Sequence, residues 1–496
     1  MRKPANRKEA TVSYDVVIGL EVHAELLTQS KIFCPADAHF GGSPNSHVSP
    51  VSLGLPGSLP VLNARVLEMG VMAGLATHCQ IAARTKFDRK HYFYPDLPKG
   101  YQITQFDYPI AENGWLDIEI QGETRRIRLK RIHMEEDAGK LVHAGADRMA
   151  GSVYSLVDYN RAGVPLLEIV SEPDIRSSEE ARIYLEELRS ILMAIGVCDG
   201  KMQEGSLRCD ANISLKPSGS ETLGTRVEIK NINSFRFLQK ALDYEIQRQR
   251  VALESGEQLV QETRLWDENS NRTLSMRSKE EAHDYRYMPD PDLIWYEVKA
   301  DTLARIQAEL PELPAQKRQR YVAELMLGAE EAQILVAESS LAAFFEATVA
   351  SGSAPREAAK WLLGDIQAWL NSQCKTLSET RLTPERLTDL LSQVAAGTLS
   401  GKMAKQLLPH LFESDTGVSD LIEQLGLKQI SDSGELESLI ARILSENPNQ
   451  VQQYLSGKDK IMGYFVGQIM KQTKGQADPG LSNQILLAQL EQLRQG

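Results

Sequence analysis

Across 496 residues the chain has no uninterrupted run of about 18 apolar residues, which argues against a membrane span. Its five cysteines (Cys34, Cys79, Cys198, Cys209 and Cys374) are scattered, odd in number and without CxxC spacing. That argues against a disulfide framework and fits a reducing cytoplasm. Also missing are a GxxxxGK[ST] loop, a GxGxxG strand–helix junction, a GxSxG elbow and an HExxH pair, which disfavours P-loop ATPases and Rossmann enzymes. No Ser/Gly-rich amidase signature and no context for a cysteine nucleophile is present, so a glutaminase within this chain is disfavoured too. Positive charge is in deficit: 55 Lys and Arg against 67 Asp and Glu leave a net charge of −12. A uniformly basic nucleic-acid binder is excluded, and any phosphate contacts fall to local patches. The leader MRKPANRKEATVS is basic but lacks the apolar stretch of a secretory signal, so residues 1–13 are expected to be a disordered leader.

What is present changes character near residue 300. Before it, Gly and Pro punctuate alternating or β-branched runs such as VSYDVVIGLEVHAEL, YQITQFDYPI, WLDIEIQ, RRIRLKRI and TRVEIKNI, which predict strands. Two helices intervene, LPVLNARVLEMGVMAGLAT and SSEEARIYLEELRSILMAIG. The second has Ser177 or Ser178 as N-cap, acids in its first turn and Gly196 at its end. This mixture predicts an α+β domain with a mainly antiparallel sheet. After residue 300 the pattern is amphipathic and helical, broken by Pro311 and Pro314 and by Gly, Ser and Pro between segments. The expected organisation is a domain over 14–297, a helical domain over 298–410 and a small helical tail over 411–496, hinged near 411–418.

Three groups of residues carry chemistry. In GLEVHAEL, strand alternation puts Glu21, His23 and Glu25 on one face and Leu20, Val22, Ala24 and Leu26 on the other. Two carboxylates flanking an imidazole make a hard ligand set suited to Mg²⁺ or Mn²⁺. Further acids follow in HMEEDAGK, with Glu135, Glu136 and Asp137 in a row; in VPLLEIV, where Glu168 stands alone among apolar residues; and in SLRCDANISL, where Arg208, Asp210, Asn212 and Ser214 share a face. A carboxylate in an apolar strand needs a partner, either a cation such as Arg or a metal. The expectation is that Glu21, His23, Glu136, Glu168 and Asp210 converge around one or two Mg²⁺ ions, supported by Glu25 and Glu135. Second, residues 84–105 interleave basic and aromatic side chains, which suits a phosphate-bearing, base-stacking ligand. Lys90 is expected to contact phosphate, with Arg89 the weaker alternative. In TRVEIKNIN, Arg226, Glu228 and Lys230 likewise share a face. Third, two basic patches stand out: TRRIRLKR at 124–131, and Lys458, Lys460, Lys471 and Lys474 in the tail, where Gly457, Gly463 and Gly467 permit close approach of backbone to a ligand.

The blocks GLEVHAEL, LGLPGSLPVLN, RKHYFYPDLPKGYQITQ, HMEEDAGK, DYNRAGVPLLEIVSEPD, EGSLRCDANISL, EIKNINSF and YRYMPDPDL follow one another in order. Together they resemble the GatB family, the B subunits of the tRNA-dependent amidotransferases. GKDKIMGYFVGQIMKQTKGQADP resembles that family's YqeY-like tail, so the likeness spans about residues 14–496. It implies a glutamine-synthetase-like cradle at 14–297 holding the catalytic residues Glu21, His23, Lys90, Glu136, Glu168 and Asp210, with a tRNA-binding tail. It also implies Mg²⁺ and ATP as cofactors, and as partners an amidase A subunit, a small C subunit and misacylated tRNA, with no membrane. The implied activity is a carbon–nitrogen ligation that converts Asp-tRNA(Asn), Glu-tRNA(Gln) or both to the amide form. ATP phosphorylates the side-chain carboxylate, and ammonia channelled from the amidase displaces phosphate. One departure stands out: where many family members carry CxC and CPVC zinc pairs, this chain reads Cys34-Pro35-Ala36 and Ser49-Pro50-Val51-Ser52. One thiol of four cannot build a Cys₄ site, so no structural zinc is expected, although Asp37, His39 and His47 lie nearby as alternative donors. Two rival readings are a tRNA-binding scaffold without chemistry and a self-sufficient ligase that needs no amidase partner.

Overall fold

The computed structural model describes residues 13–143, 153–276, 285–427, 433–473 and 476–495. The expected leader, apart from Ser13, and Lys474 lie outside the described residues. The chain divides into two compact units, Met1–Pro314 and Ala315–Gly496.

In the first unit the alternating runs pair into a nine-stranded sheet. Its order is Arg272–Ser275, Glu262–Asp267, Val227–Ile232, Leu207–Pro217, Tyr14–Glu25, Pro165–Ser171, Glu123–Glu136, Ala111–Ile120 and Gln80–Ile81. Neighbours are antiparallel except Val227–Ile232 and Glu262–Asp267, which run parallel. The sheet is therefore mixed, in an α+β unit. A parallel pair needs a crossover, and the helix Phe235–Glu254 supplies it. Apolar spacing does not predict this helix, because its buried stripe runs Leu238, Ala241, Leu242, Glu245, Gln249 and Ala252, with two polar residues where hydrophobes would be expected. The two helices that spacing does predict form at Ala64–Ala76 and Ser178–Ala194. Ser177 is the N-cap of the latter, its hydroxyl oxygen accepting from the Glu180 N–H at 3.1 Å, which satisfies a donor the helix cannot.

These three helices cover one face of the sheet. Along Tyr14–Glu25 the side chains of Leu20, Val22 and Ala24 are completely buried beneath them, while Glu21, His23 and Glu25 remain partly exposed on the other face. A one-residue slip would drive two carboxylates and an imidazole into the core, so burial fixes the register. The basic run at 124–131 is not a free patch. Arg126 makes a two-pronged pair with Asp117 at 2.8 and 2.9 Å, Arg128 does the same with Asp174 at 2.8 Å, and Arg125 meets Glu180 at 2.6 Å. Three of its positive charges are thus paired with carboxylates of the same unit, at its surface.

The helix Ala300–Glu309 belongs to this first unit, because Ile306 is buried in the same core and Arg305 bridges to Glu68. The first unit accordingly ends at Pro314 and not at the expected 297. The second unit is all-helical with two separate cores. The first includes Val418, Leu421 and Ile422, so the hinge expected at 411–418 lies within a packed core; the second begins at Leu436. No single described helix is long and apolar enough to cross a membrane.

Candidate active site

Strand register assembles the site on the open face of the sheet. His23 lies opposite Glu168 on one side and Arg208 on the other, and Glu168 lies opposite His133 in the next strand. Glu135, two residues beyond His133, shares that face. His23 Nε2 lies 3.5 Å from Glu168 Oε2 and 3.8 Å from Glu135 Oε1, while His133 Nε2 lies 3.3 Å from Glu168 Oε2 and 3.6 Å from Glu135 Oε2. One ligand atom from each of His23, Glu135 and Glu168 falls within 4.8 Å of the others, the one such donor cluster among the described residues.

Glu136 exchanges places with Glu135 relative to expectation. The alternation that aims Glu135 at His23 turns Glu136 to the opposite face, where it accepts from the Ile103 N–H at 2.8 Å and pairs with Lys99. Asp210 stands across from Glu21 but is bound to Lys230 at 2.6 Å, and Glu21 accepts from Asn212 Nδ2 at 2.9 Å. Lys230 also reaches Glu228, at 3.0 Å. Glu25 lies beside Asp137, which is gripped by Arg208 at 2.7 Å and Arg161 at 3.4 Å. The structure therefore brings together His23, Glu135 and Glu168, sets Glu21, Asp210 and Glu25 on the same face beside them, and removes Glu136. Sequence reading assigned no role to His133, although it shares Glu135's face by the same period of two.

The electrostatics show a surplus of negative charge. Burial, reinforced by Glu168, Glu228 and Asp210, raises the Glu21 pKa above the ordinary carboxylate value. Burial disfavours ionised Glu168 too, but His133 and His23 outweigh it and hold that carboxyl well below its usual range. His133 is the reciprocal case: burial opposes its charge, yet Glu168 and Glu135 lift it to about 9. Two carboxylates and an imidazole meeting in an electronegative pocket fit a hard divalent cation, with further positions left for substrate oxygens and water.

Lys90 and Arg89 separate clearly. Arg89 is held by Asp290 and Asp292, each at 2.8 Å, and lies over the Tyr101 ring; it clamps the 288–292 segment in place. Lys90 has no carboxylate partner among the described residues, and its ammonium sits 4.9 Å from the Tyr285 ring centroid. Burial opposes its charge, but Glu135, Tyr287 and Glu168 raise its pKa above the usual lysine value. Alternation across the pairing Lys90↔Gln102 and Asp88↔Thr104 aims this face at the cluster, with Thr104 Oγ1 donating to Glu135 Oε2 at 3.2 Å.

Around Cys34 the serines make a different contact. The Ser49 N–H donates to Ser52 Oγ at 2.9 Å and the Ser52 N–H to Ser49 Oγ at 3.2 Å, while Asp37 pairs with His39. Nearby, completely buried Lys31 donates to the carbonyl oxygens of Ala162 at 2.6 Å and Tyr159 at 3.2 Å, bracing the loop that carries Arg161. Burial pushes its pKa from 10.5 down to about 8. Between those two values the unfolded chain binds more protons than the folded one, so stability rises with pH across that window. Lys31→Met is expected to abolish this rise. Thermal unfolding of both proteins across the window checks it; parallel curves would show that the Lys31 pKa is not lowered by folding.

Residues 16–304 match the family described as GatB/GatE catalytic domain, and residues 343–490 match the family described as GatB domain. A relative from Thermosynechococcus vestitus, named as the B subunit of an aspartyl/glutamyl-tRNA(Asn/Gln) amidotransferase, is 55% identical over 493 residues, covering 98% of this chain and 99% of its own. Relatives of the same name are 56% identical in Synechococcus sp. strain JA-2-3B'a(2-13), over 97% of this chain and 99% of theirs, and 52% identical in Trichodesmium erythraeum, over 96% and 98%. Matched in both halves and nearly end to end, the chain belongs to the GatB family.

Proposed function

We propose that this chain is the amide-forming subunit of a tRNA-dependent amidotransferase, acting on Asp-tRNA(Asn), Glu-tRNA(Gln) or both. The observation that carries this reading is the convergence of His23, Glu135 and Glu168 beside Lys90, which has no carboxylate partner among the described residues; the relatives' names support it. A side-chain carboxylate does not react with ammonia until one oxygen becomes a leaving group. In the proposed sequence a carboxylate oxygen attacks the γ-phosphorus of ATP and the bond to ADP breaks. Ammonia then attacks the acyl carbon and phosphate leaves, so carboxylate, ATP and ammonia become amide, ADP and hydrogen phosphate. Both substrates are anions entering an acidic face, which requires cations. His23, Glu135 and Glu168 would hold Mg²⁺, and Glu21 and Asp210 flank them. When bound, the ion supplies charge neutralisation at the transferring phosphate. Lys90 meets the phosphoryl oxygens as a point charge, and Arg89 keeps the surrounding segment in place.

The chain lacks an amidase signature, so ammonia comes from an amidase A subunit, with a small C subunit completing a cytoplasmic heterotrimer. Lys90→Ala in that complex is expected to slow ADP formation at saturating misacylated tRNA by about 10²-fold with tRNA affinity preserved. Lost tRNA binding with full-rate ADP formation would contradict the assignment. A scaffold without chemistry would show no ATP consumption in response to misacylated tRNA, and a self-sufficient ligase would make amide from glutamine with this chain alone.

The tail is proposed to hold the tRNA body. Lys458, Lys460 and Lys471 are exposed, and none pairs with a carboxylate among the described residues. Phosphate contacts of this kind give position without base specificity. Because Val418–Ile422 belongs to the preceding core, the appropriate deletion is 433–496. It is expected to raise KM for misacylated tRNA and flatten its salt dependence while glutamine hydrolysis continues. Unchanged tRNA affinity would refute it.

A further inference from the structure

The strand Glu123–Glu136 carries four arginines, and three of them, Arg125, Arg126 and Arg128, each hold a carboxylate. Arg131 differs. It makes no ion pair among the described residues, although Glu112 stands directly opposite in the neighbouring strand. Its Nε is buried without a hydrogen-bond partner. A half-buried guanidinium with an unused donor is costly to keep unless something else takes its N–H groups.

Strand register puts Arg131 at the site. Pairing with Pro165–Ser171 is regular from Glu136 back to Arg131 and shifts only beyond Val170. Alternation therefore sets Arg131, His133 and Glu135 on the same open face. Across the sheet Arg131, Val170 and Glu21 form one row, and His133, Glu168 and His23 form the next. Two strand spacings, roughly 10 Å, separate Arg131 from Glu21, too far for a direct pair. Lys90 belongs to the opposite end: Gln102, which faces it across the small sheet, donates to the Glu136 carbonyl oxygen at 2.7 Å. Along its own strand Arg131 is four residues, roughly 13 Å, from Glu135. Two cations without carboxylate partners among the described residues thus bracket the acidic cluster.

We propose that Arg131 receives the last phosphodiester of the tRNA acceptor end. This rests on the amide-forming reading above. There the phosphoryl donor brings its phosphates to Lys90, so the acyl substrate enters from the other end of the cluster. Its side-chain carboxylate reaches the cluster, its ester joins it to the terminal ribose, and the next anion along the RNA is the phosphodiester. A planar guanidinium grips two phosphate oxygens at once, which gives position without reading a base. Arg131 therefore sets how deep the acceptor end enters.

In the assembled amidotransferase, Arg131→Gln is expected to raise KM for misacylated tRNA about tenfold, the size of one charge-assisted contact, and to leave KM for ATP unchanged. Arg131→Lys keeps the charge but not the fork and is expected to recover part of the loss. A misacylated tRNA whose last phosphodiester is a neutral methylphosphonate is expected to cost the wild type the same factor and Arg131→Gln nothing further. An unchanged KM for tRNA in Arg131→Gln would overturn the proposal. So would a rise in KM for ATP instead, which would make the donor's phosphate the occupant, or losses that add, which would place the RNA phosphate elsewhere. If Arg131→Gln fails to assemble, the wild type decides alone: equal use of the methylphosphonate and native tRNAs overturns the proposal. A wild-type complex that consumed no ATP in response to misacylated tRNA would overturn the underlying reading and this one with it. Normal wild-type activity with an indifferent variant overturns this one alone.

Discussion

Glu168→Gln is expected to lower tRNA-dependent amide formation by about 10²- to 10³-fold while the glutaminase of the same complex keeps its rate. The substitution preserves shape and removes one charge from the middle of a row in which His23 and His133 lie 3.5 and 3.3 Å from the same oxygen. Both imidazoles lose the anion that Glu168 presents to them, and one of the three donors to a divalent cation loses its charge. The defect should fall on kcat, since charge stabilisation counts most as the phosphoryl group transfers, and should be accompanied by a higher Mg²⁺ requirement. His23→Ala removes a different donor from the same cluster and is expected to behave alike. A Glu168→Gln complex that kept its kcat and its Mg²⁺ dependence would contradict the site.

The largest stability effect is expected far from this chemistry, at Glu245. This carboxylate is completely buried and accepts from Arg248 Nε at 3.0 Å, Gln249 Nε2 at 3.0 Å and Thr273 Oγ1 at 3.0 Å, with Arg264 Nε 3.6 Å away. It ties the crossover helix to the hairpin at the sheet edge. Glu245→Ala leaves guanidinium groups near a buried space without their counter-charge, at a cost of about 3–5 kcal/mol. Thermal unfolding of the full chain should show the first unit melting earlier. A loss within about 0.5 kcal/mol would mean that the network is solvated.

Much of the site was legible because strands alternate. GLEVHAEL announced its polar face, and the lone carboxylate in VPLLEIV announced a partner. The limit was phase: three consecutive acids at 135–137 offer two faces, and only pairing with Pro165–Ser171 decides that Glu135 points with His23 while Glu136 points away. His133 was hidden for the same reason. The crossover helix escaped because the network around Glu245 put polar residues on its buried stripe, where period alone expects apolar ones. The arginines at 125–128 read as a patch because their partners Asp117, Asp174 and Glu180 lie 9 to 55 residues away. Long-range ion pairing leaves no local signal.

The most direct test of the account follows one oxygen. Misacylated tRNA carrying ¹⁸O in the side-chain carboxylate is supplied to the assembled complex with ATP and glutamine. If the carboxylate is phosphorylated, each phosphate released with amide product carries one ¹⁸O, and Glu168→Gln diminishes labelled phosphate and amide together. Phosphate free of ¹⁸O, formed at the rate of amide, would contradict the account.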